Sequence, residues 1–270
     1  MYPVIYTLIM MNIFIPNHGI WNIYHFLFYT VSHLQDIDGV PDNIAIDLKN
    51  NYFDSHHNFA NEILMLMYPT TTIVQATNCP PEYTELKINT PPDQLQREDP
   101  GVYEKAYDYL RNIFLPLLKV YTPQKTYSEY IYITRNGEAD KRLVLNETKL
   151  LERHVLKKFQ VVQLSKITFM DQVYLFNNAR FIISCHGAGL TNIVFCDKKC
   201  KIIELVTPHM TKLMHFEAIA RSLELTYCKF SQVIPKDPNY YSCYSDNFTV
   251  DVDALVEYIF NLRSEQHTQA

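Results

Sequence analysis

Glycine is scarce in this chain, with six residues in 270, and tryptophan occurs once. So little glycine excludes collagen-like repeats and flexible Gly/Ser linkers, and neither internal repeats nor low-complexity tracts are present. Long apolar runs are also missing. Residues 4–15 form the most apolar stretch near the start, about twelve residues long, with no basic residue before it and Pro16 after it. That is too short for a bilayer span and has the wrong flanks for a signal peptide, so it is expected to be a core strand and turn without a membrane anchor. There is no surplus of positive charge: 24 Lys and Arg stand against 29 Asp and Glu, for a net charge of −5 and a pI near 6.0. A nucleic-acid partner and a polybasic membrane patch are therefore not expected. Among the six cysteines no Cys-x-x-Cys and no Cys/His zinc spacing occurs, which predicts free thiols, a reducing compartment and a cytoplasmic location.

What is present suits a packed globular protein: 47% of residues are hydrophobic and 20% charged. Short apolar runs alternate with helical patterns, which predicts an α/β fold with parallel sheets. The first domain is expected over residues 1–121, with strands near 10–15, 43–47 and 71–75. Ile23, Phe26, Leu27, Thr30, Val31 and Leu34 share one face of a helix in this domain. A second domain over 122–250 should hold strands at 130–134, 160–164, 180–184, 201–205 and 226–229. Its helices are placed at 146–157 with Asn146 as N-cap, 168–177, 190–195 and 210–223. Residues 251–270 form a terminal helix, started by Asp251, and a tail.

A third of the glycine sits in one place, Ser184-Cys185-His186-Gly187-Ala188-Gly189. This loop follows the apolar strand Phe181-Ile182-Ile183 and precedes Leu190 to Phe195, which can start a helix. Two glycines let the backbone turn and leave amide N–H groups uncovered. At a helix N-terminus such a loop suits a phosphate. The next strand, Lys201-Ile202-Ile203, ends in Glu204, placed to accept hydrogen bonds from ribose hydroxyls. Phosphate cradle and carboxylate together fit a nucleotide sugar. Thr191 and Asn192 either add donors to phosphate or cap the helix.

Several segments in order resemble glycosyltransferase family 61: Arg135…Arg142-Leu-Val-Leu-Asn146-Glu147, Phe159 to Leu164, Phe169 to Phe176, Ile183 to Asn192 with His-Gly-Ala-Gly-Leu at its centre, and Ile203-Glu204-Leu205. In the first half the likeness is confined to residues 17–34, where Trp21-Asn22-Ile23-Tyr24-His25 looks like a histidine-bearing motif of the family. Members include plant xylosyl- and arabinosyltransferases and animal O-linked GlcNAc transferases.

The resemblance implies a GT-B-like architecture: two Rossmann-like domains facing a cleft, with a C-terminal helix that can cross back to the first. It also implies inverting transfer from a UDP-sugar, with xylose favoured and GlcNAc next, to a glycan or glycoprotein hydroxyl, without an essential metal or other cofactor. A compact unit of this kind is encoded by some large DNA viruses, which would place it in the host cytoplasm. On this reading the donor diphosphate rests on His186, Gly187, Ala188, Gly189 and Leu190, with Thr191 and Asn192 beside it. Arg135 neutralises the leaving group, Arg142 is a second cation, and Glu204 holds ribose. Inversion needs a general base. His25 is the first choice because imidazole titrates near neutral pH, and Asp47, at a strand end, is the second. Tyr29 stands where family members often carry an acid. That departure leaves open a non-catalytic nucleotide- or glycan-binding module, and a UDP-sugar 2-epimerase is a further alternative. Asp36-Ile-Asp38 and Asp251-Val-Asp253 match the Asp-x-Asp metal motif, but three-residue matches are common by chance and no metal site is expected there.

Overall fold

Short apolar runs early in the chain line up side by side in a computed structural model that describes residues 10–16, 23–47, 57–88, 104–137, 141–236 and 246–264. The chain divides into two units, residues 1–91 with 105–113, and residues 92–104 with 114–270. Both are mixed α/β with parallel sheets, as the alternation of strand and helix patterns predicts.

The first unit holds β1 (Asn12–Ile15), β2 (Asn43–Ile46), β3 (Thr72–Gln75) and β4 (Thr84–Glu85), in the order β3-β2-β1-β4 with every neighbouring pair parallel. Strand order reverses at β1, as in the first half of a Rossmann sheet. Two-residue β4 has no pattern that a sequence can show. After β1 comes a helix that runs Ile23–His25, widens to a π-helix over Phe26–Val31, and closes over Ser32–Leu34. The single apolar face expected here is exceeded: every residue from Phe26 to Val31 is buried, Phe28 and Tyr29 included. The wider π turn spreads side chains around the axis and is often found at functional sites. The motif residues Asn17 to Asn22 lie outside the described residues.

The second unit holds β5 (Tyr130–Ile133), β6 (Gln160–Val162), β7 (Phe181–Cys185), β8 (Lys201–Leu205) and β9 (Thr226–Phe230) in one parallel sheet of order β6-β5-β7-β8-β9. β7 and β8 are buried along their whole length, which suits their apolar runs Phe181-Ile182-Ile183 and Ile202-Ile203. Phe169–Asn178 is a helix started by Thr168, whose hydroxyl accepts from the Asp171 amide at 3.2 Å.

The helix expected after the glycine loop is present as a 3-10 helix, Ala188–Phe195. Three expectations are corrected in this unit. The helix expected over 146–157 is short, Glu147–Leu151. Asn146 does not cap it with its side chain but clasps Val250, donating to its carbonyl at 2.8 Å and accepting from its amide at 3.0 Å. The helix expected over 210–223 spans only His215–Ser222. An antiparallel pair, β10 (Val233–Pro235) and β11 (Phe248–Val250), was not foreseen.

The terminal helix Val252–Ser264 is started by Asp251, which accepts from the Ala254 amide at 3.1 Å. Its Leu255, Ile259 and Leu262 join Tyr132, Phe181, Ile183 and Ile203 in the second core, and Lys201 Nζ donates to the Leu262 carbonyl. Through this apolar stripe the terminal helix is docked in the core of the second unit. Among the described residues no helix is long and apolar enough to cross a membrane.

Candidate nucleotide-phosphate site

In the second sheet the order 2-1-3-4-5 reverses between β5 and β7, and open α/β sheets bind ligands beyond the carboxyl ends of the strands at such a point. Two loops leave from there. Thr134, Arg135, Asn136 and Gly137 follow β5, and His186, Gly187 and Ala188 follow β7.

These loops meet closely. A Cβ on Gly187 would lie 2.5 Å from Arg135 Nη1 and 3.9 Å from Arg142 Nη1. Gly187 has φ 167°, an extended conformation open to any residue, so the glycine is there for space. A Cβ on Gly189 would come within 2.7 Å of Leu164 Cδ1, again a matter of space. The sharp turn expected from the sequence is not what either glycine provides.

Arg135 and Arg142 are half-buried, and among the described residues neither pairs with a carboxylate. Arg142 has a left-handed backbone (φ 60°), and its buried Nε has no hydrogen-bond partner among the described residues. Burial first, and then the charge of Arg135, push its guanidinium down to about 10. Two like charges beside one glycine raise the local potential, and an anion relieves it. Burial pushes the thiol of Cys185 up to about 11 despite both arginines, so it offers no thiolate at neutral pH.

His186 continues β7. Its Nδ1 lies 2.6 Å from Oε1 of Glu204, whose side chain is 2% exposed, and its ring centroid is 5.1 Å from that of Phe216. An ionised carboxylate only accepts, so Nδ1 carries the hydrogen and Nε2 is the nitrogen left for other work. Burial, then the charge of Glu204, raises the hydroxyl of Tyr227 well above the usual phenol range. Glu204, expected from the sequence to hold ribose, is buried and paired with His186.

Ala188 and Gly189 are half-buried, while the side chains of Leu190, Thr191 and Asn192 are fully buried. Asn192 donates to Gln172 Oε1 at 2.9 Å and to the Gly189 carbonyl at 3.2 Å. Its amide braces the loop from inside, and Leu190, Thr191 and Asn192 have no exposed surface of their own. Asp251 caps its helix and Asp253 pairs with Arg153 at 2.6 Å. Among the described residues no three His, Cys, Asp or Glu side chains are grouped to hold a metal.

The two base candidates belong to the first unit. His25 is half-buried, with ring centroids 5.5 Å from Tyr24 and 4.8 Å from Tyr29. Asp47 follows β2, half-buried, and its amide donates to the Ile15 carbonyl at 2.9 Å. Sequence reasoning missed two residues that build the site. Gln172 meets Asn192, and Glu147 accepts from Thr134 Oγ1 at 2.8 and 3.0 Å. The one signal was the flanking of Arg135 by Thr134 and Asn136, two short polar residues that need a partner when buried.

Parallel sheets with this strand order define a Rossmann-like α/β protein. The family model for Glycosyltransferase 61 matches residues 23–203, more than half of the chain, and the chain belongs to that family. It is 30% identical over 115 residues to the human protein O-linked-mannose β-1,4-N-acetylglucosaminyltransferase 2, covering 39% of this chain and 20% of that protein. The mouse protein of the same name is 36% identical over 78 residues, 27% of this chain and 13% of that one. The chain thus matches a fifth or less of the length of these curated relatives.

Proposed function

We propose that this chain is a glycosyltransferase that takes a sugar from a nucleoside-diphosphate donor, held by the second unit, and passes it to a glycan or glycoprotein hydroxyl. The observation that carries this is the convergence of Arg135 and Arg142 on Gly187 at the strand-order reversal. Charge develops on the diphosphate as the anomeric bond breaks, and two preset guanidiniums stabilise it without reorganising. They fill the place a divalent cation holds in other transferases, so no metal requirement is proposed. His186, oriented by Glu204, adds a third donor when protonated. The names of the relatives shift the first choice of sugar from xylose to N-acetylglucosamine, with UDP as carrier. The family resemblance supports inversion and a GT-B-type division of labour, with the acceptor on the first unit and His25 or Asp47 as base.

The experiment is UDP release from UDP-GlcNAc and from UDP-xylose, with and without O-mannosyl and xylan acceptors, and with EDTA. Acceptor-dependent release that survives EDTA is the expected outcome, and Arg135→Ala should lower kcat/KM by about 100-fold or more while the protein stays folded. Normal turnover in that variant removes Arg135 from the site. The buried Tyr29, in place of an acid, favours a second reading: a binding module that holds the nucleotide sugar without transferring it. Saturable UDP binding with no release under any acceptor would support that reading, and a change in the sugar without transfer would mark an epimerase.

A further inference from the structure

We infer that Glu147 is a positioning residue, whose buried carboxylate fixes the turn that presents Arg135 to the donor diphosphate. The inference rests on the site reading above and gives Glu147 a task within it. Glu147 is 9% exposed and opens the helix Glu147–Leu151, where its charge suits the positive end of the helix. Its two oxygens accept from Thr134 Oγ1 at 2.8 and 3.0 Å, and Oε2 also accepts from Asn136 Nδ2. Thr134 Oγ1 in turn accepts from the Asn136 amide at 3.1 Å. The residues immediately before and after Arg135 are thus tied to one carboxylate, while Arg135 itself is free of it.

Glu147 is itself held from behind. Next to it Asn146 clasps Val250, Leu143 N donates to Asn247 Oδ1 at 2.8 Å, and Leu145 N donates to the Phe248 carbonyl at 2.8 Å. The stretch that follows Arg142 is therefore stitched to β11, and Glu147 links it to the turn carrying Arg135. Arg135 closes the loop by donating from Nε to the Lys141 carbonyl at 3.2 Å. Two like-charged guanidiniums would separate if left to themselves, and this frame holds their arms together. A carboxylate suits the task because both its oxygens accept and its charge strengthens each bond; an amide keeps one accepting oxygen and gives up that charge.

The test measures UDP and uridine binding by calorimetry for the wild type, Glu147→Gln, Thr134→Val and Arg135→Ala. The expected result is UDP affinity lowered about tenfold in Glu147→Gln and less in Thr134→Val, with uridine affinity unchanged in both. A general loss of structure would weaken both ligands. The double variant Glu147→Gln/Asn136→Asp, which returns a charge-assisted bond between the two positions, should recover much of the UDP affinity. If Glu147→Gln and Thr134→Val bind UDP as the wild type does while Arg135→Ala does not, the inference is overturned and the site reading stands. If Arg135→Ala also binds UDP normally, the site reading falls and takes the inference with it.

Discussion

The two glycines of the loop do different work, and substitution separates them. In Gly187→Ala the new methyl meets the far end of a flexible arginine, so Arg135 must move away from the site. UDP affinity should fall about tenfold or more, with little change in the melting temperature. In Gly189→Ala the methyl meets Leu164 inside the core, and overpacking there costs about 1–3 kcal/mol, read as a lower melting temperature. Arg142 makes a further test. Its folded-state pKa lies below the ordinary arginine value, so the unfolded chain holds that proton more readily and folding opposes the charge. This destabilisation is fully present below about 10 and lifts as pH rises through it. Arg142→Gln should therefore raise the melting temperature of the unliganded protein at neutral pH, by about 0.5–2 kcal/mol of stability, and lower its affinity for UDP. A variant that is both less stable and equally avid would show that Arg142 is a structural residue.

At the scale of elements, position followed from pattern where burial was complete. β7 and β8 are buried on both faces, so their apolar runs were readable, as were Thr168 and Asp251 at helix starts. The failures came where a partner distant in sequence decided the local structure. Asn146 is a good N-cap by type, yet its amide is taken by Val250, 104 residues away. The pair β10 and β11 is short and one-sided, with Ile234 exposed, so neither strand shows a two-sided apolar run. The 3-10 turn after Gly187 suits a segment whose side chains from Leu190 to Phe195 are all buried. Of the candidate site, the glycine loop and Arg135 were legible from residue type and strand end. The pairing of His186 with Glu204 was not, because Ser184 and Glu204 are register partners only once β7 and β8 lie together.

For the molecule as a whole, the terminal helix is part of the second unit's core. Ile259 is fully buried there, and Ile259→Ala should cost about 2–5 kcal/mol, seen as a lower midpoint in chemical denaturation. Bound UDP should offset part of that loss in proportion to its affinity. By itself the sequence determined the α/β class, the run of buried strands and the place of the glycine loop, since hydrophobic periodicity and glycine position are local signals. Only the tertiary structure decided that two arginines flank one glycine, that Glu204 pairs with His186, and that Glu147 binds Thr134 and Asn136. Those facts depend on strand order, which is set by contacts between segments far apart in the chain.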